Sequence, residues 1–207
     1  MKEATFATRV IAWQKRHGRH DLPWQNTRDL YRIWLSEIML QQTQVATVIP
    51  YYARFLEKFP TLVDLARASE DEVLALWSGL GYYSRGRNLL RAAHLAVEKF
   101  GGEFPREFDD ILALPGIGQS TAAAISAFAF GERRAILDGN VKRVFARHFG
   151  IAGFYGEKKV EAKLWHVAND ALPKKNIEPY TQGLMDLGAT VCLRSRPLCL
   201  ACPIADS

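Results

Sequence analysis

The chain has 207 residues, 48% hydrophobic and 24% charged, and this ordinary globular composition excludes an intrinsically disordered protein. Its 27 Lys and Arg against 22 Asp and Glu give a net charge of +5, which permits a polyanionic partner without requiring one. The uncharged segment 111–131 is interrupted by Pro115 and Gly116, so we expect a turn and a buried helix rather than a membrane span, in a soluble intracellular protein.

The hydrophobic pattern repeats at helical spacing along most of the chain and shows no convincing strand-like alternation. It predicts an all-α protein of short helices separated by glycines and prolines. The predicted helices cover residues 3–17, 29–44, 46–58, 61–67, 70–77, 84–100, 107–113, 119–130, 139–149, 157–171 and 178–190.

Helix 29–44 carries an amide-rich polar face. Glu37, Leu40, Gln41 and Gln44 recur at helical spacing and are expected on one side of this helix. One carboxylate and two amides can hydrogen-bond to nucleic-acid bases. The same pattern is more often an ordinary solvated helix surface.

A helical hairpin is predicted around the LPGIG sequence at 114–118. Pro115 ends the first helix, and the glycines allow a tight turn and close approach to the backbone. The second helix then begins with exposed N–H groups at residues 116–120, which suit a phosphate oxygen. This is the sequence form of a helix-hairpin-helix element that binds the DNA backbone, although a plain helical turn fits as well.

Asp138 directly precedes helix 139–149, where a helix N-cap is expected. The same carboxylate could also stabilise a positive charge that develops in a reaction. Lys142, Arg143 and Arg147 follow on or near one face of this helix and could reach phosphates.

The three cysteines, Cys192, Cys199 and Cys202, are clustered near the end of the chain with the spacing C-x6-C-x2-C. This clustering excludes a disulfide framework that spans the fold. It indicates a local iron–sulfur or zinc site in a reducing compartment, with three unligated thiols as the alternative.

Several segments together resemble the MutY adenine DNA glycosylases of the endonuclease III superfamily. They are LPW from Leu22, WLSEIMLQQTQVATVIPYY from Trp34, GLGYYSRGRNL from Gly79, LPGIGQSTAAAI from Leu114, LDGNVKRV from Leu137, MDLGATVC from Met185 and the cysteine tail. The segment from Trp34 is the most specific of these, and the resemblance extends over essentially the whole chain.

The resemblance implies two all-α halves with DNA bound in the cleft between them. Residues 26–135 would form a six-helix barrel with the helix-hairpin-helix. Residues 1–25 and 136–207 would form the other half, with a [4Fe–4S] cluster on the three cysteines. The family's fourth cysteine would fall at position 208, and we expect this chain to lack the family's domain that reads 8-oxoguanine. We therefore expect the three cysteines to hold the cluster less securely than four would. We also expect weaker discrimination between 8-oxoguanine and guanine without that domain.

The resemblance also implies the chemistry. Glu37 would be the general acid that protonates N7 of adenine, with a pKa raised by apolar neighbours. Asp138 would stabilise the sugar cation, either by its charge or covalently, and Asn140 would orient a carboxylate or the attacking water. Bifunctional members carry a Schiff-base lysine where this chain has Ser120, so strong strand cutting is not expected.

For the contacts with DNA, the resemblance implies that Gln42 and Tyr82 enter the duplex beside an extruded adenine. Further DNA contacts are expected from Gln41, Leu114, Gly116, Gly118, Ser120 and Lys142, and the adenine pocket from Trp24, Leu40, Gln182 and Met185. The partner would be double-stranded DNA with adenine opposite 8-oxoguanine or guanine. The protein would act as a monomer in the cytoplasm or nucleoid, away from membranes.

Two other functions stay open. One is a bifunctional glycosylase for oxidised pyrimidines with abasic lyase activity, which the absence of lysine at position 120 disfavours. The other is a non-catalytic helix-hairpin-helix module for DNA binding. That module would explain the basic charge and the hairpin, but neither Glu37 nor the Asp138 segment.

Overall fold

The computed structural model describes residues 2–205, with side chains from residue 6 onward. Residues 1, 206 and 207, which belong to the predicted cluster-bearing half, lie outside this description. The described chain is all-α and contains no strand, as predicted. Its helices are α1 (Lys2–His17), α2 (Leu30–Leu40), α3 (Val45–Lys58), α4 (Leu62–Ala66), α5 (Glu70–Trp77), α6 (Ser84–Phe100), α7 (Phe108–Ala113), α8 (Gln119–Phe130), α9 (Gly139–His148), α10 (Lys158–Asp170) and α11 (Ile177–Thr190), followed by a 3-10 turn at Cys199–Ala201.

The predicted helix ends agree with the structure to within one residue at every helix except α2. Local capping explains much of this agreement. Thr61 and Ser69 each accept a hydrogen bond from the backbone of the third helical residue, and the Asp64 and Glu72 side chains accept from the capping residues in return. These reciprocal capping boxes define where α4 and α5 begin.

The chain divides into two compact units, Asp21–Ala129 and Met1–His20 with Phe130–Ser207. The boundaries expected from the sequence, at 25/26 and 135/136, lie a few residues further along the chain. The barrel and cluster assignments of the two halves remain predictions. Among the described residues, no helix is long and apolar enough to cross a membrane.

In the 21–129 unit, α6 packs against α2, α4 and α5 around the fully buried side chains of Trp34, Phe55 and Trp77. Burial of such large apolar side chains is the main stabilising contribution to the unit. Helix α8 is also deeply embedded, since every residue from Ala122 to Ala127 is buried. The uncharged segment therefore forms a turn and a buried helix, as predicted.

In the other unit, α11 packs against both α1 and α9. Gly183 makes the contact with α1 possible, because a Cβ there would lie 2.9 Å from a methyl group of Val10 and 3.2 Å from its carbonyl oxygen. The Phe6 ring lies 5.8 Å from Phe145 and 5.3 Å from Phe149, which places aromatic packing at the centre of this unit.

A fully buried carboxylate also joins the segment that follows α1 to α11. Asp186 accepts hydrogen bonds from Nε of Arg19 at 2.6 Å, from the Arg19 backbone at 2.9 Å and from the Gln182 amide at 2.9 Å. The cation and the additional donors together offset the cost of removing this carboxylate from water.

Candidate active site

Glu37 lies on a stretch of α2 that is otherwise mostly buried. Trp34, Ser36 and Ile38 are buried, whereas Glu37 and Leu40 are half-exposed and lie one turn apart. Glu37 is therefore partly accessible on a helix whose other side chains are mostly buried. The start of α2 is fixed by Asp29, whose side chain accepts from the Tyr31 and Arg32 amides.

The amide-rich helix face predicted for residues 29–44 does not form. Helix α2 ends at Leu40, Gln41 is extended, Gln42 has φ +55°, and Gln44 is already the N-cap of α3. Gln41 and Gln44 therefore do not share a helical face with Glu37. The helix stops here because the carbonyl groups of its last turn bind a side chain from α6.

That side chain is Arg85, which the sequence analysis missed. It is buried at the start of α6, and its guanidinium donates to acceptors from two chain segments at 2.5–3.2 Å. These acceptors are the carbonyl oxygens of Ile38, Met39, Gln41, Leu80 and Gly81 and the hydroxyl of Thr43. The available signal was a cation in the first turn of a helix, where the helix dipole disfavours it.

Gln42 and Tyr82, the two residues expected to enter the duplex, both adopt left-handed backbone conformations. Their φ angles are +55° and +49°, and both side chains are exposed. For non-glycine residues such conformations cost about 1–3 kcal/mol each and persist only when the surrounding structure enforces them. Strain of this kind in exposed residues is typical of functional positions.

The LPGIG hairpin is observed between α7 and α8. Gly116 has φ +82°, and a Cβ there would lie 2.8 Å from Cβ of Asn88, so only glycine fits without displacement. The Gly118 carbonyl accepts from the Ala122 amide and thereby starts α8. The amides of the first turn of a helix have no acceptor within it, and this first turn carries no acidic side chain. The hairpin therefore has the backbone form expected of a phosphate-binding element.

Gln41 connects the α2–α3 turn to this hairpin. Its side-chain amide donates to the Gly116 carbonyl at 3.3 Å and to the Thr121 hydroxyl at 3.4 Å. Leu114 is buried, and Ser120 is half-buried in the first turn of α8. The structure thus places Gln41 together with Gly116, and the hydrogen bonds give Gln41 a role in supporting the turn.

Asp138 is the N-cap of α9, as predicted from the sequence. One carboxylate oxygen accepts from the Asn140 amide at 2.6 Å and from the Val141 amide at 3.0 Å. Burial nevertheless raises the pKa of Asp138, against the opposing effects of these amides and of Lys142 and Arg143. Burial thus favours the neutral carboxyl, whereas the two amide hydrogen bonds and the nearby cations favour the carboxylate.

Two further predicted residues on α9 have partners within the protein. The Asn140 side-chain oxygen accepts from Arg143, which also donates to the carbonyls of Gly188 and Cys192. The Lys142 ammonium lies 2.5 Å from Glu161 on α10. Phosphate binding by Lys142 would therefore compete with this ion pair.

The residues expected around adenine occupy two separate parts of the chain. In the 21–129 unit, Trp24 is buried edge-on against Tyr52, with ring centroids 5.4 Å apart, and Leu40 is half-exposed. In the other unit, Gln182 and Met185 are half-buried one turn apart on α11. The Gln182 amide nitrogen donates to Asp186, and this contact fixes the orientation of the amide group.

The three cysteines line one cavity of about 230 Å³. Arg147 donates to the Cys192 sulfur at 3.4 Å, and burial raises the pKa of the Cys202 thiol. Within residues 2–205, however, no three His, Cys, Asp or Glu side chains lie close enough together to hold a metal ion. The thiol donors thus suit an iron–sulfur cluster, but ligation requires them to move closer.

Comparison with known proteins identifies the family. The profile of the HhH-GPD superfamily base excision DNA repair proteins matches residues 35–170. An adenine DNA glycosylase of Buchnera aphidicola (subspecies Acyrthosiphon pisum) is 45% identical over 99% of this chain and 58% of its own length. An adenine DNA glycosylase of Mus musculus is 45% identical over 96% of this chain and 40% of its own length. The chain spans only about half the length of these curated relatives.

Solved structures share the fold. A thermostable thymine-DNA glycosylase aligns with a TM-score of 0.86 and 31% identity, covering 97% of this chain and 92% of that one. An endonuclease III–DNA covalent intermediate aligns with a TM-score of 0.80 over 98% and 93% of the two chains, at 22% identity. The chain therefore belongs to the HhH-GPD superfamily of base excision DNA repair proteins.

Proposed function

We propose that this protein is a monofunctional adenine DNA glycosylase that hydrolyses the N-glycosidic bond of adenine opposite 8-oxoguanine or guanine. It would act as a monomer on double-stranded DNA in the cytoplasm or nucleoid. The observation that carries the proposal is Glu37, a reachable carboxyl on a buried helix, in a chain 45% identical to adenine DNA glycosylases over nearly its full length.

Glu37 serves as the general acid. Adenine is a poor leaving group as an anion and a better one after protonation, so a proton from Glu37 to N7 promotes cleavage of the bond to C1′. The electron pair of that bond leaves with the base. This step needs the neutral form of the acid, and Glu37 stands between the buried residues Ser36 and Ile38 on α2.

Asp138 stabilises the cation that cleavage leaves on the sugar. Its carboxylate, held by the α9 amides, is aimed by the backbone rather than by a flexible partner. Water then adds to C1′ and gives up its proton to the Glu37 carboxylate, which restores the acid. The products are free adenine and an abasic site. Asn140 steadies the Asp138 segment through its contacts with Arg143 and α11.

Ser120 supports a hydrolytic reaction without strand cutting. Its hydroxyl cannot form the imine that a lysine forms with the opened sugar, so β-elimination is not promoted there. The α8 first turn binds a phosphate through its backbone instead, next to Gly116 and Gly118. Gln42 and Tyr82 fill the space left in the duplex by the extruded base, while Trp24, Leu40, Gln182 and Met185 border the adenine.

Cys192, Cys199 and Cys202 would hold a [4Fe–4S] cluster. When bound, the cluster would fix the loop between these cysteines through thiolate bonds to iron. Arg147 supports the same loop by donating to the carbonyls of Leu193 and Arg194.

The test is an excision assay on three duplexes that carry A opposite 8-oxoguanine, A opposite G, and thymine glycol opposite A, each with and without alkali. We expect strand breaks at adenine only after alkali. Breaks at thymine glycol without alkali would identify a bifunctional enzyme. Binding to every duplex with no release of any base would identify a non-catalytic DNA-binding module, and both outcomes would overturn the proposal.

A further inference from the structure

Arg85 occupies a position that opposes a positive charge in two ways. It is only 7% exposed. It also lies in the first turn of α6, and this turn contains no acidic residue. Burial lowers its pKa, and all its recorded hydrogen bonds go to uncharged acceptors. Its Nε has no hydrogen-bond partner among the described residues. A local conflict of this kind is expected mainly where function requires it.

The guanidinium joins two segments that each lead into a strained residue. Nη1 donates to the Gln41 carbonyl, immediately before Gln42 at φ +55°. Nη2 donates to the Gly81 carbonyl at 3.1 Å, immediately before Tyr82 at φ +49°. The Tyr82 ring centroid also lies 5.4 Å from the Arg85 guanidinium carbon, within cation–π distance.

We propose that Arg85 is a positioning residue for base extrusion, which holds Gln42 and Tyr82 together in their left-handed conformations. This inference rests on the proposed function of those two side chains in the duplex. The planar guanidinium fixes the carbonyl that precedes each of the two residues. The distance between Gln42 and Tyr82 is therefore set before DNA binds. Lysine lacks the rigid fork needed to serve both segments at once.

The first test uses Arg85→Lys and Arg85→Met, with Lys99→Met as the matched control. Lys99 is an exposed cation in the last turn of the same helix. We expect amide hydrogen exchange at residues 41–43 and 80–82 to become about tenfold faster or more in the Arg85 variants. Exchange in the α3 core should keep its wild-type rate. The control should leave both segments unchanged.

The second test is the single-turnover rate on a duplex with A opposite G. We expect Arg85→Lys to slow excision about 100-fold, the loss typical of a misplacement of about 1 Å. In a background that carries both Gln42→Ala and Tyr82→Ala, the same change should cost less than about 3-fold, because Arg85 then has neither side chain to position.

Two results would overturn the inference: unchanged exchange in both segments, or equal losses with and without the Gln42 and Tyr82 side chains. If Arg85→Met does not fold, Arg85→Lys retains the charge and decides the question. If the wild-type chain excises no adenine, the proposed function fails, while the exchange experiment still tests whether Arg85 holds the two segments.

Discussion

Among the described residues, two charged side chains are buried, Asp186 in one unit and Arg85 in the other, and they are satisfied in different ways. Asp186 meets the Arg19 cation, a backbone amide and the Gln182 amide. Arg85 meets backbone carbonyls and one hydroxyl, and the chain after two of these carbonyls is strained. The first arrangement joins α11 to the segment after α1, and the second joins the two segments that precede Gln42 and Tyr82.

The difference shows how to separate architectural charges from functional ones. The presence of a buried charge that is paired with an opposite charge is explained by the packing contact that the pair makes. A charge without one, or a carboxylate whose pKa burial raises, as at Asp138, opposes folding and calls for another explanation. Removing a charge of the first kind should therefore lower stability more than activity. Removing a charge of the second kind should lower activity more than stability.

The largest effect on folding is expected from Asp186→Ala. It removes the partner of Arg19 and leaves the Gln182 amide without its acceptor, so we expect a loss of about 3–5 kcal/mol in the free energy of unfolding. Urea titration measures it. The control is Asp170→Ala, which breaks the exposed pair with His166 and should cost under about 1 kcal/mol. Equal losses at the two positions would remove the distinction between buried and exposed pairs.

Glu37→Gln should produce the largest loss of activity. Removing the proposed general acid is expected to slow single-turnover excision of adenine by about 10²–10⁴-fold, while DNA binding and the urea midpoint stay near the wild-type values. Glu57→Gln, which changes an exposed carboxyl on α3, is the control and should retain full turnover. Full activity in Glu37→Gln would exclude this residue as the acid.

Asp138→Asn should separate stability from activity most clearly. We expect excision to fall by about 10²-fold or more, because the variant lacks the charge proposed to stabilise the sugar cation. Asparagine caps helices about as well as aspartate, so the cap on α9 should survive. A chain that loses stability and activity together would assign Asp138 to the cap alone.

The pH dependence of stability gives the sign of the Asp138 contribution. Because burial raises its pKa in the folded state, folding favours the protonated form, and the carboxyl destabilises the fold increasingly as pH rises above the unfolded value. The free energy of unfolding of Asp138→Asn, taken relative to that of wild type, should therefore be higher at neutral pH than at pH 3. Glu72→Gln should show the opposite trend, since hydrogen bonds from Ser69 lower the pKa of Glu72.

The smallest effect concerns the hairpin. Gly116→Ala should cost about 1–2 kcal/mol of stability from its left-handed φ alone, and the contact with Asn88 adds to that loss. Gly118→Ala is the control in the same turn, because a Cβ there meets no atom within 4 Å. Equal thermal shifts for the two variants would show that the turn relaxes around Gly116.

The helices could be predicted because their signals are local. The capping pairs at Thr61 and Ser69, Asp138 before α9 and the uncharged segment of α8 each determine a few neighbouring residues. The end of α2 could not be predicted in this way. It depends on Arg85, which is more than forty residues away in the sequence and captures the last carbonyls of the helix. Gln41 was assigned to a helix face for the same reason, whereas it binds the hairpin.

The most direct test of the central claim compares two duplexes that differ in one atom of the target base. One carries adenine opposite guanine, and the other carries 7-deazaadenine, in which a carbon replaces the N7 that Glu37 would protonate. We expect the protein to bind both duplexes with similar affinity and to release only adenine under single-turnover conditions. Release of both bases at the same rate would contradict protonation at N7 and the role assigned to Glu37.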